Sequence, residues 1–300
     1  MVEKTKILIT GSEGMLGSSL VNALTPGYEV KGIDIDDCDI TNKKDTIRLI
    51  KNYNPRIIIH AAAYTDVDGC ELNSEKAFAV NASGTQNVAR TAKELNATMF
   101  YISTDYVFDG RKDKPYTETD IPNPVNIYGQ SKLEGERATQ SLLDKYIILR
   151  TSWLFGHRGK NFVTTILQKA TENKTIHVVR DQFGSPTYTL DLVSAIKVIL
   201  SYLDFQTSTK LYGIYHITNS GICSWYEFAS KIISLKQLKT QVLPITSLES
   251  KRPAQRPKNS VLDNSKSMST FNLKLRAWSE ALGHFLQNYI RDCPLSGLSL

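Results

Sequence analysis

The sequence predicts an α/β fold, a doubly wound parallel sheet that carries a smaller C-terminal lobe. Three observations predict it. Short apolar runs of strand length alternate with longer helical stretches through the first 150 residues. Such alternation marks βαβ units, whose strands are buried on both faces. A glycine-rich turn joins the first run to the first helix. Beyond residue 150 the rhythm loosens, and Gly159, Gly184, Pro186, Pro244, Pro253 and Pro257 mark loops.

The first run, Lys6–Thr10, leads straight into Gly11-Ser12-Glu13-Gly14-Met15-Leu16-Gly17, and Met15–Leu24 reads as an amphipathic helix stopped by Pro26-Gly27. The G-x-x-G-x-x-G spacing departs from the G-x-G-x-x-G dinucleotide fingerprint, but the physical needs are shared. Gly11 allows the tight turn, and Gly14 lets backbone amides approach a pyrophosphate at the helix N-terminus. Met15 and Leu16 stand in that first turn among the expected cofactor contacts. Gly17 lets helix and strand pack closely. This is the Rossmann-type arrangement.

The second strand, residues 28–33, ends at Asp34. An acidic residue about 20 positions beyond the glycines is where a ribose hydroxyl is usually gripped. Asp34 is otherwise a turn or cap aspartate, because Asp36, Asp37 and Asp39 crowd the same loop. No arginine follows at once to receive a 2′-phosphate, so between NADH and NADPH the reading leans to NADH.

Further strands are expected at residues 56–60, 98–102 and 145–149, separated by helices over about 42–53, 74–95 and 128–143. In such sheets ligands are held at the carboxyl ends of the strands. There stand Ala61-Ala62-Ala63-Tyr64-Thr65, Ser103-Thr104-Asp105-Tyr106 and Thr151-Ser152-Trp153. Residues 213–217 read as one more strand returning to the sheet, and Ser224 with Glu227 as a capping box for the helix Trp225–Leu235. The expected division is a dinucleotide-binding domain of 1–150 plus about 187–217, and a substrate-binding lobe of about 151–186 and 218–300.

Composition excludes several classes. A chain that is 41% hydrophobic suits a globular protein. No stretch has the apolar length needed to span a bilayer, and the charged start at Glu3, Lys4 and Lys6 is unlike a signal peptide. Cys38, Cys70, Cys223 and Cys293 lack metal-type spacing, as do the five scattered histidines. No metal is expected, and reduced thiols suit a cytoplasmic location. Residues 201–300 hold 12 Lys and Arg against 6 Asp and Glu, which accounts for the whole net charge of +6. With no nucleic-acid-binding motif to accompany it, that bias points to an anionic small substrate.

Tyr128-Gly129-Gln130-Ser131-Lys132 pairs a tyrosine with a lysine one helical turn on. A neighbouring cation favours the phenolate and can bring a tyrosine, with an ordinary pKa of about 10, into acid–base use. The same spacing also occurs on ordinary helix surfaces.

The glycine turn, the Ser-Thr before an aspartate at a strand end, and Tyr-x-x-x-Lys together resemble the extended short-chain dehydrogenase/reductases. Residues 103–110, 128–136 and 150–153 are similar to the dTDP-4-dehydrorhamnose reductase family, as are Asp181-Gln182-Phe183-Gly184-Ser185-Pro186-Thr187 and Arg256-Pro257-Lys258-Asn259-Ser260. The resemblance implies Tyr128 as proton donor and Lys132 as its activator, also bonding the nicotinamide ribose. It implies Thr104 on the substrate carbonyl oxygen and Asp105 orienting the sugar. Ala61 to Thr65 would lie along the cofactor, with Asp39 and Ile40 near the adenine. Trp153 would pack on the hexose; the other reading is a core aromatic, but a tryptophan just past a strand's carboxyl end is well placed for the cleft. Arg256 would meet the diphosphate, its guanidinium fork suiting oxyanions, or else belong to a solvated basic loop.

Some members are described as dimers bridged by a metal through glutamates. Ser19 and Leu190 stand at two of those places here, which leaves a homodimer open but argues against a metal bridge. The implied activity is reduction of the C4 ketone of a dTDP-4-dehydro-6-deoxyhexose. Two rivals stand beside it. One is a nucleotide-sugar epimerase or dehydratase, against which Asp105 is followed by Tyr106 where dehydratases carry a second carboxylate. The other is a non-catalytic dinucleotide-binding subunit resembling the regulatory subunit of methionine adenosyltransferase.

Overall fold

The structure, a computed structural model, describes residues 4–205 and 211–292. Cys293 therefore lies outside the described residues. Six parallel strands form the central sheet. They are β1 (Lys6–Thr10), β2 (Glu29–Ile33), β3 (Ile57–His60), β4 (Thr98–Thr104), β5 (Tyr146–Thr151) and a last strand, Gly213–His216. Their spatial order is β2-β1-β3-β4-β5 and then Gly213–His216. The chain winds one way from β1 to β2 and the other way from β3 onward. The crevice between β1 and β3 is thus the switch point where such sheets take their ligands.

Alternation builds the two faces. Ile7, Ile9, Ile57 and Ile59 pack against the helices Met15–Leu24 and Thr189–Phe205. Leu8, Ile58, Met99 and Tyr101 pack on the other side with Val88, Ala89 and Ala92 of the helix Thr85–Glu94. Successive strand residues point to opposite faces, so an uninterrupted apolar run serves both. Each such side chain, taken fully out of water, contributes roughly 1.5–3 kcal/mol.

The helix expected over 74–95 is interrupted. Ser74–Phe78 and Thr85–Glu94 are α-helical, but Ala79–Gly84 between them is a π-helical turn. The wider turn carries Asn81 inward, fully buried.

A further core lies away from the sheet. Phe155, Ile176, Val178, Tyr188, Phe228, Phe285 and Leu286 pack together there, and the short strands Thr175–Val179 and Gln241–Ile245 run parallel beside them. The helix Trp225–Leu235 opens on the expected box. Ser224 Oγ accepts from the Glu227 N–H, while Glu227 accepts from the Ser224 N–H. Among the described residues no helix is long and apolar enough to cross a membrane.

Candidate active site

The glycine turn is a close-packed cradle. Gly11 has φ +68°, a conformation glycine adopts without steric cost, and a Cβ there would lie 2.7 Å from the Ala62 nitrogen. A Cβ on Gly17 would lie 1.9 Å from the Gly11 carbonyl oxygen, so only glycine lets the helix sit this close to the turn. Gly14 caps the helix, and Met15, Leu16 and Gly17 occupy its first turn, where N–H groups have no intrahelical acceptor. The Leu16 side chain is in the core, leaving its backbone as the part available to a ligand.

Before this cradle runs a groove of about 430 Å³. Of the expected cofactor residues, Gly11, Gly14, Asp34, Asp39, Ile40, Ala61, Ala62, Ala63 and Tyr64 line it. Thr65, Met15, Leu16, Gly17, Tyr128 and Lys132 do not. Lys76 and Val80 line it as well, and Lys76 Nζ stands 4.8 Å over the Tyr64 ring. Asp34 is already engaged. Its Oδ2 accepts the Glu13 N–H at 2.8 Å and its Oδ1 the Ile35 N–H at 2.8 Å. The carboxylate therefore ties the glycine turn to the end of β2.

The π-helical turn connects this groove to the Tyr128 helix. Asn81 Oδ1 accepts the Tyr64 N–H at 2.8 Å, and its Nδ2 donates to the Tyr64 carbonyl at 3.0 Å and to Ser131 Oγ at 2.9 Å. One amide thus fixes the loop lining the groove against the helix Ile127–Leu142. The sequence reading missed Asn81. Its signal was an asparagine and a glycine, Gly84, inside an otherwise helical stretch.

Thr104 ends β4 with its side chain buried. Its hydroxyl donates to Asp105 Oδ1 at 3.0 Å and accepts the Tyr106 N–H at 3.2 Å, and it is close enough to the Tyr128 phenol to favour the phenolate. Tyr128 sits in the first turn of its helix, with Asn126 Oδ1 accepting the Gly129 N–H at 2.7 Å as the cap. Burial pushes Asp105 up to about 7, the hydroxyls of Ser260 and Thr104 moderating the rise.

Lys132 is buried and reaches the end of β4. Its Nζ donates to the Ile102 carbonyl at 2.7 Å and lies 4.1 Å over the Tyr101 ring. Burial drives its pKa down to about 7 against the pull of Glu136. Burial also raises the Tyr128 phenol, and the nearby Thr104 hydroxyl is what opposes that rise. Helical spacing brings the lysine to the right face, but its ammonium pins the strand end that presents Thr104.

Beneath this group lies an ion pair that the sequence reading did not single out. Glu136 takes Arg150 Nε at 2.9 Å and Nη2 at 2.6 Å, both residues being buried. Ser103, next to Thr104, donates to the same carboxylate at 2.5 Å.

Trp153, just past β5, has φ +49° and stacks on Trp225 at 3.5 Å. A Cβ on Gly184 would lie 2.5 Å from its ring. Arg256 is committed to a carboxylate. Its Nη1 and Nη2 meet Asp68 at 3.0 and 2.9 Å, and the side chain is 11% exposed. The fork expected to meet a diphosphate is therefore filled from within. Arg252, 57% exposed and 3.5 Å from the same carboxylate, is the more open cation.

The family model described as the RmlD substrate binding domain matches residues 5–291. The chain belongs to that family. It is 43% identical over 285 residues to a dTDP-4-dehydrorhamnose reductase of Aggregatibacter actinomycetemcomitans, covering 92% of this chain and 97% of that protein. It is 39% identical to the spore coat polysaccharide biosynthesis protein SpsK of Bacillus subtilis, covering 96% and 99%. Among solved structures, the dTDP-4-dehydrorhamnose reductase of Bacillus anthracis in complex with NADP superposes with a TM-score of 0.89. That pair shares 42% identity, over 95% of this chain and 99% of that one.

Proposed function

We infer that the protein is an NAD(P)H-dependent reductase that converts the C4 ketone of dTDP-4-dehydro-β-L-rhamnose to the alcohol of dTDP-β-L-rhamnose, in nucleotide-sugar biosynthesis. The observation that carries this reading is the cluster of Thr104, hydrogen-bonded to Asp105, with the Tyr128 phenol beside them at the carboxyl end of the sheet, its helix tied through Asn81 to the glycine-cradled groove.

The groove fits a dinucleotide. Gly11 and Gly17 leave no room for a Cβ, and a helix N-terminus faces it, which suits a pyrophosphate. Bound there, a reduced nicotinamide supplies the hydride. As negative charge grows on the sugar O4, Thr104 donates a hydrogen bond to it and Tyr128 gives it the phenolic proton. Both interactions are stronger with the developing alkoxide than with the ketone, and so accelerate the step. Lys132 keeps the end of β4 in place and lends positive charge to the phenolate left behind.

Asp105 orients the sugar and Trp153 bounds its pocket. Arg252 is the open cation that suits a diphosphate, and Arg256, its fork held by Asp68, adds positive charge behind it. Asp34 argues for NADH, because a 2′-phosphate beside it meets like charge. The NADP bound to the Bacillus anthracis relative argues for NADPH, and the ratio is a quantity to measure. The second core supports a division into a cofactor domain of 1–150 with about 187–217 and a substrate lobe of about 151–186 and 218–300. Unpaired thiols at Cys38, Cys70 and Cys223 suit a cytoplasmic enzyme.

The test is direct. Incubation with NADH or NADPH and enzymatically made dTDP-4-dehydro-L-rhamnose should consume the reduced cofactor and yield the alcohol. No loss of absorbance with either cofactor would favour the regulatory-subunit reading. Cofactor retained unchanged through turnover would favour an epimerase.

A further inference from the structure

The short helix Val67–Leu72 follows the loop that lines the groove and carries two carboxylates three residues apart, Asp68 and Glu71. Both reach other segments. Asp68 Oδ1 accepts the Ala254 N–H at 3.1 Å, and its two oxygens take the two Nη groups of Arg256. Burial alone would raise its pKa, but Arg256, the Ala254 N–H and Arg252 together hold it below the usual carboxylate range. These are charge-assisted bonds, stronger than neutral ones.

Glu71 Oε1 accepts the Ile127 N–H at 2.8 Å. That N–H opens the helix bearing Tyr128 and is one a helix cannot satisfy internally. Asn126 completes the arrangement. Its Oδ1 caps Gly129, and its Nδ2 donates to the Gln255 carbonyl at 2.8 Å. Residues 67–72, 126–129 and 252–256 thus close a ring of hydrogen bonds around the first turn of the Tyr128 helix. The far side of that turn is equally tight, since a Cβ on Gly129 would lie 2.1 Å from the Tyr106 carbonyl oxygen.

We propose that Asp68 is a positioning residue for Tyr128. It locks residues 252–256 onto the Val67–Leu72 helix, and that segment, through Gln255 and Asn126, holds the Tyr128 turn against Thr104. The inference rests on the reductase reading for its kinetic consequence but not for its structural one.

Asp68→Asn keeps the size of the side chain and removes its charge. The expected result is a fall in kcat of roughly tenfold or more, the scale on which a slightly misplaced group loses rate, with cofactor affinity within about twofold. Amide hydrogen exchange at Ile127 and Gly129 should rise, while the sheet stays protected. Asp68→Glu should recover part of the rate, and Glu71→Ala should raise the same exchange from the other side of the ring. A folded Asp68→Asn with unchanged kcat, or with unchanged exchange at those amides, overturns the proposal. If Asp68→Asn fails to fold, Glu71→Ala decides by the same two measurements. Should the wild type not reduce the sugar, the reductase reading fails, and the exchange at Ile127 and Gly129 still tests the ring.

Discussion

On the proposed cofactor side of the cleft, Gly11, Gly14, Gly17 and Asp34 all belong to one βαβ unit, in the turn after the first strand, in the first helix and just past the second strand. On the proposed substrate side, Asp68, Asn126, Trp153, Gly184 and Arg256 come from five separate segments. The first half is held by backbone, through a glycine carbonyl, a helix N-terminus and an aspartate that takes two main-chain N–H groups. The second is held by side chains reaching across the chain. A backbone-built site tolerates little change in shape but much in surface charge. A side-chain-built site can be retuned one residue at a time, which suits the half that must distinguish one sugar from another.

The two halves meet at Tyr128, and its removal should have the largest effect on both. Tyr128→Phe keeps the ring and loses the hydroxyl, so kcat should fall by roughly a hundredfold or more, the contribution of a positioned acid. Dissociation constants for cofactor and sugar should change little. A near-normal rate in that variant would make Tyr128 a bystander and leave the two halves without a common reacting group.

The same contrast decides what the sequence disclosed. Lys6–Thr10, Met15–Leu24 and the Ser224–Glu227 box were legible because each is fixed by residues within a few positions of one another. The π-helical turn at Ala79–Gly84 was not, because Asn81 is drawn inward by partners on two other segments. The Arg256–Asp68 pair spans 188 residues, and no local pattern shows that a carboxylate will fill that fork. The Tyr128–Lys132 spacing was read correctly as one helical face, but the ammonium's choice of the Ile102 carbonyl depends on how β4 lies against the helix.

A pair of glycine substitutions sharpens the comparison. Gly17→Ala puts a Cβ 1.9 Å from a backbone oxygen that cannot easily move. It should cost about 1–3 kcal/mol of stability, the usual range for overpacking, and weaken cofactor binding tenfold or more. Gly184→Ala presses instead on the Trp153 ring. It should raise KM for the nucleotide sugar several-fold and leave cofactor affinity alone. Thermal melts and titrations with each ligand check both, and a cofactor defect in Gly184→Ala would break the separation of the halves.

The pH profile probes their junction. Asp105 is pushed up to about 7 and Lys132 down to about 7, in both cases by burial. Below that pH Asp105 is neutral and Lys132 cationic, and both states favour negative charge on O4 and on the phenol. As pH rises through about 7 the carboxyl gains a negative charge and the ammonium loses its positive one. kcat/KM for the sugar should therefore fall on the alkaline side. Asp105→Asn should make that fall shallower, and an unchanged profile would show that Asp105 does not titrate in the working range.

The smallest expected effect concerns cofactor choice. Asp34 lines the groove, and both of its carboxylate oxygens already hold main-chain N–H groups. A 2′-phosphate placed beside it meets like-charge repulsion, which is partly screened at an open site. Replacing the aspartate should thus shift the NADPH to NADH ratio of kcat/KM by only several-fold. Asp34→Asn is the cleaner variant, because an amide oxygen can still accept one of the two N–H bonds and the turn keeps much of its support. Asp34→Ser shortens the reach and should weaken both cofactors while shifting the ratio the same way. If the ratio is unchanged in Asp34→Asn while affinity for both cofactors falls, the residue is a brace for the glycine turn. Discrimination would then have to come from elsewhere along the groove, where Lys76 is the nearest candidate by charge.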